Sequence, residues 1–357
     1  MTINKLSLSV ILCLASGASF AEDTTSSTSG TENSTENTFH HEAEIGFLDT
    51  SENSDGLVSG KYSYYFQGVD QTDVPLELAT YLSQSSVVSA RYATTDHQDL
   101  YALRGEYIFD SRFFIGGAYS LVTTERDWFD YYDEDQDTYE INAGYYFNPY
   151  TKLTLSYSTY EQTSSTSGRV PYTSLTTGNS KSSVDHNGFS AKYEHYLPFE
   201  VTSGLMLTAI ASYAKTEEEF NGDSIFPIDN VNNDYIFATS YVNSDQTIKE
   251  TQLAINADWY VTNAWAVSIG YEFVNHDYKG SYNRLIQPVN DSQGDYEHYN
   301  ESYDNNFNDS DSFNYFKIGT SYFWNFSKYI SARALIEQAY VDSESNTSFG
   351  VAINARF

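Results

Sequence analysis

The sequence predicts an all-β chain closed into a transmembrane antiparallel β-barrel of about fourteen strands, within a range of twelve to sixteen, with both termini periplasmic. Three observations lead there. Side chains alternate apolar and polar with a period of two along most of the chain, its connections alternate short and long, and aromatic rings gather beside the short ones.

The N-terminus comes first. Lys5 precedes an apolar run from Leu6 to Ala18, then Ser19-Phe20-Ala21, the pattern of a secretory signal peptide over residues 1–21 cleaved after Ala21. The run is too short to span a bilayer. Cys13 lies inside it, behind the bulky Leu12 where a lipoprotein signal needs a small residue, so the expected mature chain has no thiol or disulfide chemistry. Residues 22–38 are Ser, Thr, Glu and Asn with almost nothing apolar to offset the entropy of ordering, and read as a disordered periplasmic leader. The barrel is expected over 39–357.

Composition fits no ordinary soluble domain. Tyr 33, Phe 22 and Trp 4 make 17% aromatic residues, yet mean hydropathy is −0.49. No later segment is apolar for the length of a membrane helix, whereas barrel strands, one face to lipid and one to water, average out as polar. The last strand shows this most plainly. Phe349, Val351, Ile353, Ala355 and Phe357 share one face; Ser348, Gly350, Ala352, Asn354 and Arg356 share the other.

The same rule gives strands near 40–49, 56–67, 86–95, 99–109, 113–125, 136–148, 152–164, 184–198, 204–218, 247–261, 264–278, 311–325, 328–343 and 348–357. An even count suits a barrel with both ends on one side. Counting back from Phe357, periplasmic turns fall at 325–327, 262–263, 199–203, 148–151 and 110–112. Long polar stretches fall on the other side at 126–135, 165–183, 219–246 and 279–310, read as irregular external loops. Within them Tyr235 to Val242 alternates well enough to be strand extending beyond the membrane or part of an additional hairpin. Beside the short turns stand Tyr107, Phe109 and Phe113; Tyr145, Phe147 and Tyr150; Trp259, Tyr260 and Trp265; and Tyr322, Trp324 and Phe326, the expected interfacial girdle.

One periplasmic connection, Val69 to Ser85, is long. Asp73 as a cap, Pro75 in the first turn, and Leu78, Tyr81 and Leu82 on one face suggest a short amphipathic helix, either packed under the rim or folded into the pore mouth as a constriction.

Alternation also assigns the lumen charges. The inward acids are Glu42, Glu44, Glu106, Glu140, Glu194, Asp258, Glu272 and Glu337, and the inward bases are Lys61, Arg91, Arg104, Lys192, Lys317, Arg333 and Arg356. That wall is nearly neutral although the chain carries 49 Asp and Glu against 18 Lys and Arg, so the excess acid belongs to loops and leader. An Arg or Lys facing lipid at mid-membrane costs roughly 2 to 4 kcal/mol, so these groups should face water. A pore for passive diffusion of ions and small hydrophilic solutes follows as the expected function. Acidic loops at its mouth favour cations weakly, within a screening length of about 8 Å. The rival is an adhesin-like or structural barrel with a blocked lumen.

Other chemistries find little support. No enzyme is expected. His186 with Ser190 resembles outer-membrane phospholipases only superficially, and His40, His41, His97, His195, His276 and His298 read as loop or rim residues. Asp133, Asp135 and Asp137 alternate like the start of a calcium loop, but Thr138 stands where the turn needs Gly and Gly144 where a Glu should close the site, which leaves at most weak divalent binding. No cofactor motif is found, and a pI near 4.3 argues against nucleic acid.

With the signal peptide, the fourteen segments, the girdle and the ending Ser348-Phe349-Gly350-Val351-Ala352-Ile353-Asn354-Ala355-Arg356-Phe357, the chain resembles Gram-negative outer-membrane porins. The resemblance implies that Val351, Ile353 and Phe357 form the signal read by the barrel assembly machinery, and that outer-membrane lipid and lipopolysaccharide surround the barrel. The Pro-Glu-Phe-Gly-Gly type of constriction loop found in trimeric porins is missing, so a monomer and a homo-oligomer are both compatible.

Overall fold

A computed structural model describes residues 38–50, 53–124, 134–169, 177–231, 234–288, 301–341 and 344–357. The expected signal peptide and nearly all of the leader lie outside these residues; Thr38, the leader's last residue, already opens the first strand. Fourteen strands follow: β1 (Thr38–Thr50), β2 (Asn53–Asp70), β3 (Val87–Thr94), β4 (Gln98–Ile108), β5 (Phe113–Thr124), β6 (Glu134–Asn148), β7 (Thr151–Arg169), β8 (Thr177–Leu197), β9 (Gly204–Val231), β10 (Asp234–Thr262), β11 (Trp265–Pro288), β12 (Glu301–Asn325), β13 (Ile330–Val341) and β14 (Glu344–Arg356). One short helix, α1 (Ala79–Ser83), sits between β2 and β3.

Each strand pairs antiparallel with its sequence neighbours, and β14 returns to β1 from Glu42↔Arg356 to Thr50↔Ser348, so the sheet closes. Closure satisfies the backbone without water, as a bilayer demands. The outer face is what lipid requires. Ile45, Ile141, Phe189, Ile255 and Ile353 are 60–70% exposed, an apolar belt no soluble barrel would leave bare. This is a membrane-spanning barrel of the outer-membrane kind.

The fourteen segments match the sequence reading in number and order, but β8 to β12 run much further. β9 and β10 span 28 and 29 residues, and β11 and β12 span 24 and 25. About 9 to 11 residues cross a membrane, and β10 is about 95 Å long at roughly 3.3 Å per residue. Much of 165–183, 219–246 and 279–310 is therefore strand and not irregular loop. The correction has a simple cause. Outside lipid neither face must be apolar, so the backbone ladder continues after the apolar alternation fades. Pairing of β6 with β7 ends at Asp137↔Glu161, and pairing of β12 with β13 ends at Tyr315↔Val341. Beyond those points β7 to β12 stand as an open six-stranded sheet. Residues 301–314 of its β12 edge carry Asp304, Asp309 and Asp311, charges that discourage edge-to-edge pairing.

Short turns join the strands at the rim where β1 begins and β14 ends: 109–112, 149–150, 198–203, 263–264 and 326–329. The expected girdle surrounds this rim. Tyr107 meets Phe109 with ring centroids 4.9 Å apart, Phe113 meets Tyr145 at 4.7 Å, and Tyr322 meets Trp324 at 4.9 Å. The Trp265 indole N–H donates to Thr320 Oγ1 at 2.9 Å. Tyr260 does not belong to the girdle. It neighbours Trp259 in one strand, so it faces the other way, and it is buried inside the barrel.

Candidate functional site: the lumen and its floor

The sixteen-residue connection 71–86 folds into the barrel. Asp73 does not cap a helix; it takes a left-handed φ of 56°, and the single helical turn starts only after Leu78, which offers no side-chain cap. With an unfavourable start and one turn of length, the helix owes its form to its surroundings. Leu78 and Tyr81 pack against Tyr196, Met206, Tyr260 and Ala266 from β8 to β11, joined by Leu82. The Tyr81 hydroxyl donates to the Tyr150 carbonyl at 3.0 Å, and the Leu76 amide donates to the Asn263 carbonyl at 2.9 Å. From the remaining wall, Arg333 of β13 bridges to Glu77 at 3.1 Å, and Arg356 of β14 donates from both terminal nitrogens to the Leu76 carbonyl at 3.3 Å. The connection thus reaches from β2 across the mouth to the opposite strands. It forms a floor.

Above the floor lies a cavity of about 540 Å³. The ladder places all fifteen of the named lumen charges on the inward face, and all but Arg104, Glu106, Glu140 and Lys192 border this cavity. Those four lie towards the β4 to β8 wall, where the interior is packed. Lys152 reaches Glu106 at 2.9 Å while its ammonium rests over the Phe114 ring at 4.3 Å, and Lys192 bridges Glu194 at 2.6 Å. Lys152 was missed by the sequence reading, although Leu153 and Leu155 on the lipid side imply that it points inward. Glu77 was also missed, and nothing in the local pattern announces its partner 256 residues away.

Two further groups organise the lumen. Glu42 accepts from Arg356 Nε at 2.9 Å, from Asn354 at 3.0 Å and from the Tyr65 hydroxyl at 3.0 Å, tying β14, β1 and β2 together where the barrel closes. Higher up, Ser212 donates to Gln252, which donates to Glu272 at 2.7 Å. Asp258, Glu337 and Lys317, by contrast, make no hydrogen bond or ion pair with any described residue, although all three border the cavity.

Val351 and Ile353 point to the lipid side, and Phe357 closes the ladder. Its carbonyl accepts from the His40 and His41 amides at 3.0 and 2.8 Å, its amide donates to the His41 carbonyl at 2.9 Å, and its ring stacks on His41. Of the divalent candidates, Asp133 lies outside the described residues. Asp135 and Asp137 sit in β6 on the outward face, where Asp137 accepts from the Tyr119 hydroxyl. Among the described residues no group of three or more His, Cys, Asp or Glu is arranged to hold a metal ion. His186 stacks on Tyr160 and meets Thr216 at 2.9 Å; Ser190, four residues along the strand, is about 13 Å away at roughly 3.3 Å per residue.

No family model and no curated protein matches the chain. Among solved structures it is similar to the outer membrane protein Omp33 of Acinetobacter baumannii, at 14% identity over 90% of this chain and 99% of that one, with a TM-score of 0.45. It is also similar to a loop-deletion mutant of OmpT, an outer membrane protein of Vibrio cholerae, at 10% identity over 89% and 98% with a TM-score of 0.38. The translocator domain of the autotransporter NalP from Neisseria meningitidis matches at 9% over 98% and 95%, with a TM-score of 0.36. What the chain does has to follow from its own residues.

Proposed function

We propose that this barrel is an outer-membrane channel for ions and small hydrophilic solutes, with its short turns and both termini in the periplasm. One observation carries the reading: the cavity is bordered by charged side chains, three of which make no hydrogen bond or ion pair among the described residues. Ionised groups left unpaired in a dry interior cost several kcal/mol each, so the cavity is wet. A wet, charged interior inside an apolar belt is what solute passage requires. The acidic excess of the whole chain, −31, sets the ionic preference towards cations, weakly because of screening.

A second reading is favoured by the floor. Because 71–86 crosses the mouth, the same barrel could serve as a surface-binding or structural element with a blocked lumen, its tall polar sheet making the contacts. Planar-bilayer recording from refolded protein separates the two. Stable open steps, with reversal potentials in a salt gradient that indicate cation preference, are the expected outcome. Persistent silence at moderate voltage favours the blocked barrel, and anion preference refutes the ionic reading.

A further inference from the structure

The three unpaired charges are not scattered. Asp258 pairs in register with Ser268, Ser268 with Gly319, and Gly319 with Glu337, so a single row crosses β10 to β13 with a carboxylate at each end. Between the ends stand only a serine and a glycine. A Cβ at position 319 would lie 2.7 Å from Ser268 Oγ and 3.2 Å from the Ile336 carbonyl, so the Ser268 hydroxyl lies over the glycine and the row carries nothing longer than a serine between its two carboxylates. One step further from the floor, Lys317 projects from the same β12 between the carboxylates. One step nearer the floor, Ser321 donates to Glu77, whose other oxygen holds Arg333. The result is a notch in the cavity wall: base of neutralised Glu77 and Arg333, sides of Asp258 and Glu337, lysine at the upper lip.

Each simple class of ion meets an opposing charge there. A cation attracted by Asp258 and Glu337 is repelled by Lys317, and an anion attracted by Lys317 faces two carboxylates. A molecule carrying an ammonium and a carboxylate a few ångströms apart satisfies both. We propose that this notch binds small zwitterions of the α-amino acid type, the ammonium against Asp258, within the field of Glu337, and the carboxylate against Lys317. The proposal rests on the reading that the cavity admits solutes from outside, but it does not require passage through the floor. Each charge then gains a direct contact, and the backbone of the solute lies over the short side chains of the Ser268 and Gly319 row. The remaining charges bordering the cavity include Glu42, already held by Arg356, and Glu272, held by Gln252, so neither competes for the ligand.

Isothermal titration of the refolded full chain in detergent tests it with three probes of one shape: L-alanine, L-lactate, which lacks the ammonium, and isopropylamine, which lacks the carboxylate. Alanine should bind at least tenfold more tightly than either analogue. Lys317→Gln and Asp258→Asn should each weaken it at least tenfold, while heat-modifiable migration on gels shows that both variants remain folded barrels. Equal binding of the three probes, no heat for any of them, or undiminished alanine binding in Lys317→Gln overturns the proposal. Conductance without alanine binding leaves the channel standing and removes this site; alanine binding by a silent barrel does the reverse.

Discussion

Replacing Arg356 by alanine should destabilise the barrel more than any exposed substitution in it. Arg356 and Glu42 are only 8% and 7% exposed, and their contact is 2.9 Å long. Removing one member of such a pair leaves the other charge buried, at a cost of about 3–5 kcal/mol. Asn354 and Tyr65 still donate to Glu42, which keeps the loss towards the lower end of that range. The Leu76 carbonyl loses two donors as well, worth roughly 0.5–1.5 kcal/mol each. The expected total is about 4–6 kcal/mol, given that hydrogen bonds at 3.3 Å are at the weak end. The measurement is urea unfolding from lipid vesicles followed by tryptophan fluorescence, with the double variant Glu42→Met, Arg356→Met alongside. The double variant should recover most of the loss, because it buries no uncompensated charge. A single variant within about 1 kcal/mol of the parent, on the scale of an exposed pair, refutes the reasoning. So does a double variant no better than the single.

Deleting Phe357 removes three backbone hydrogen bonds to His40 and His41 and its ring from His41, and should cut the amount of assembled barrel in outer-membrane fractions severalfold; unchanged levels would show that the terminal residue is not the signal. Replacing 72–84 by a short Gly-Ser turn should at least double the single-channel conductance, with Glu77→Gln giving a smaller rise in open-state noise; equal conductance would place the constriction elsewhere. Gly144→Ala should cost about 1–3 kcal/mol in the same urea assay, because its Cβ would fall 2.1 Å from the Leu153 carbonyl, which a paired strand cannot withdraw. Lys152→Met leaves the buried Glu106 carboxylate only the more distant Arg104, at 3.9 Å, and should lower the unfolding free energy by about 3–5 kcal/mol, a loss that a further Glu106→Gln relieves; an unchanged free energy would mean that water already reaches Glu106.

The strand count and the face of each residue were legible because both follow from a strict period of two with lipid on one side. Ile353 must be outside if Asn354 is inside, and pairing then carries that parity from strand to strand. Where lipid stops constraining the chain, the signal ends. The Ser- and Asn-rich upper parts of β8 to β12 look like loop because nothing there must be apolar, although their backbones pair to the end. Tyr260 looked interfacial by composition and is internal by parity, so the finer rule outweighed the coarser. The floor was legible only as a helix-like pattern. Its position comes from contacts such as Glu77 with Arg333 and Tyr81 with the Tyr150 carbonyl, which join residues far apart in sequence and leave no local trace. Asn354, neutral and ordinary in the sequence, gains meaning only beside Glu42.

The contacts of the floor divide by kind along the chain. Its apolar anchors are Tyr196, Met206, Tyr260 and Ala266 from β8 to β11 and Phe39, Tyr65, Val69 and Val87 from β1 to β3, whereas its charged anchors, Arg333 and Arg356, come from the last two strands. Apolar contact is tolerant of small displacements; a charged hydrogen bond is not. Both charged anchors stand beside the seam where β14 meets β1, and there Arg356 meets both Glu42 and Leu76. Arg356 adjoins the terminal Phe357, so the end of the chain that closes the sheet also fastens the floor. A fault in closure should accordingly loosen the floor, and the Arg356→Ala barrel, where it forms, should show noisier open steps than the parent. Quiet steps of parental size from that variant would separate the two roles and leave Arg333 as the sole charged anchor among the described residues.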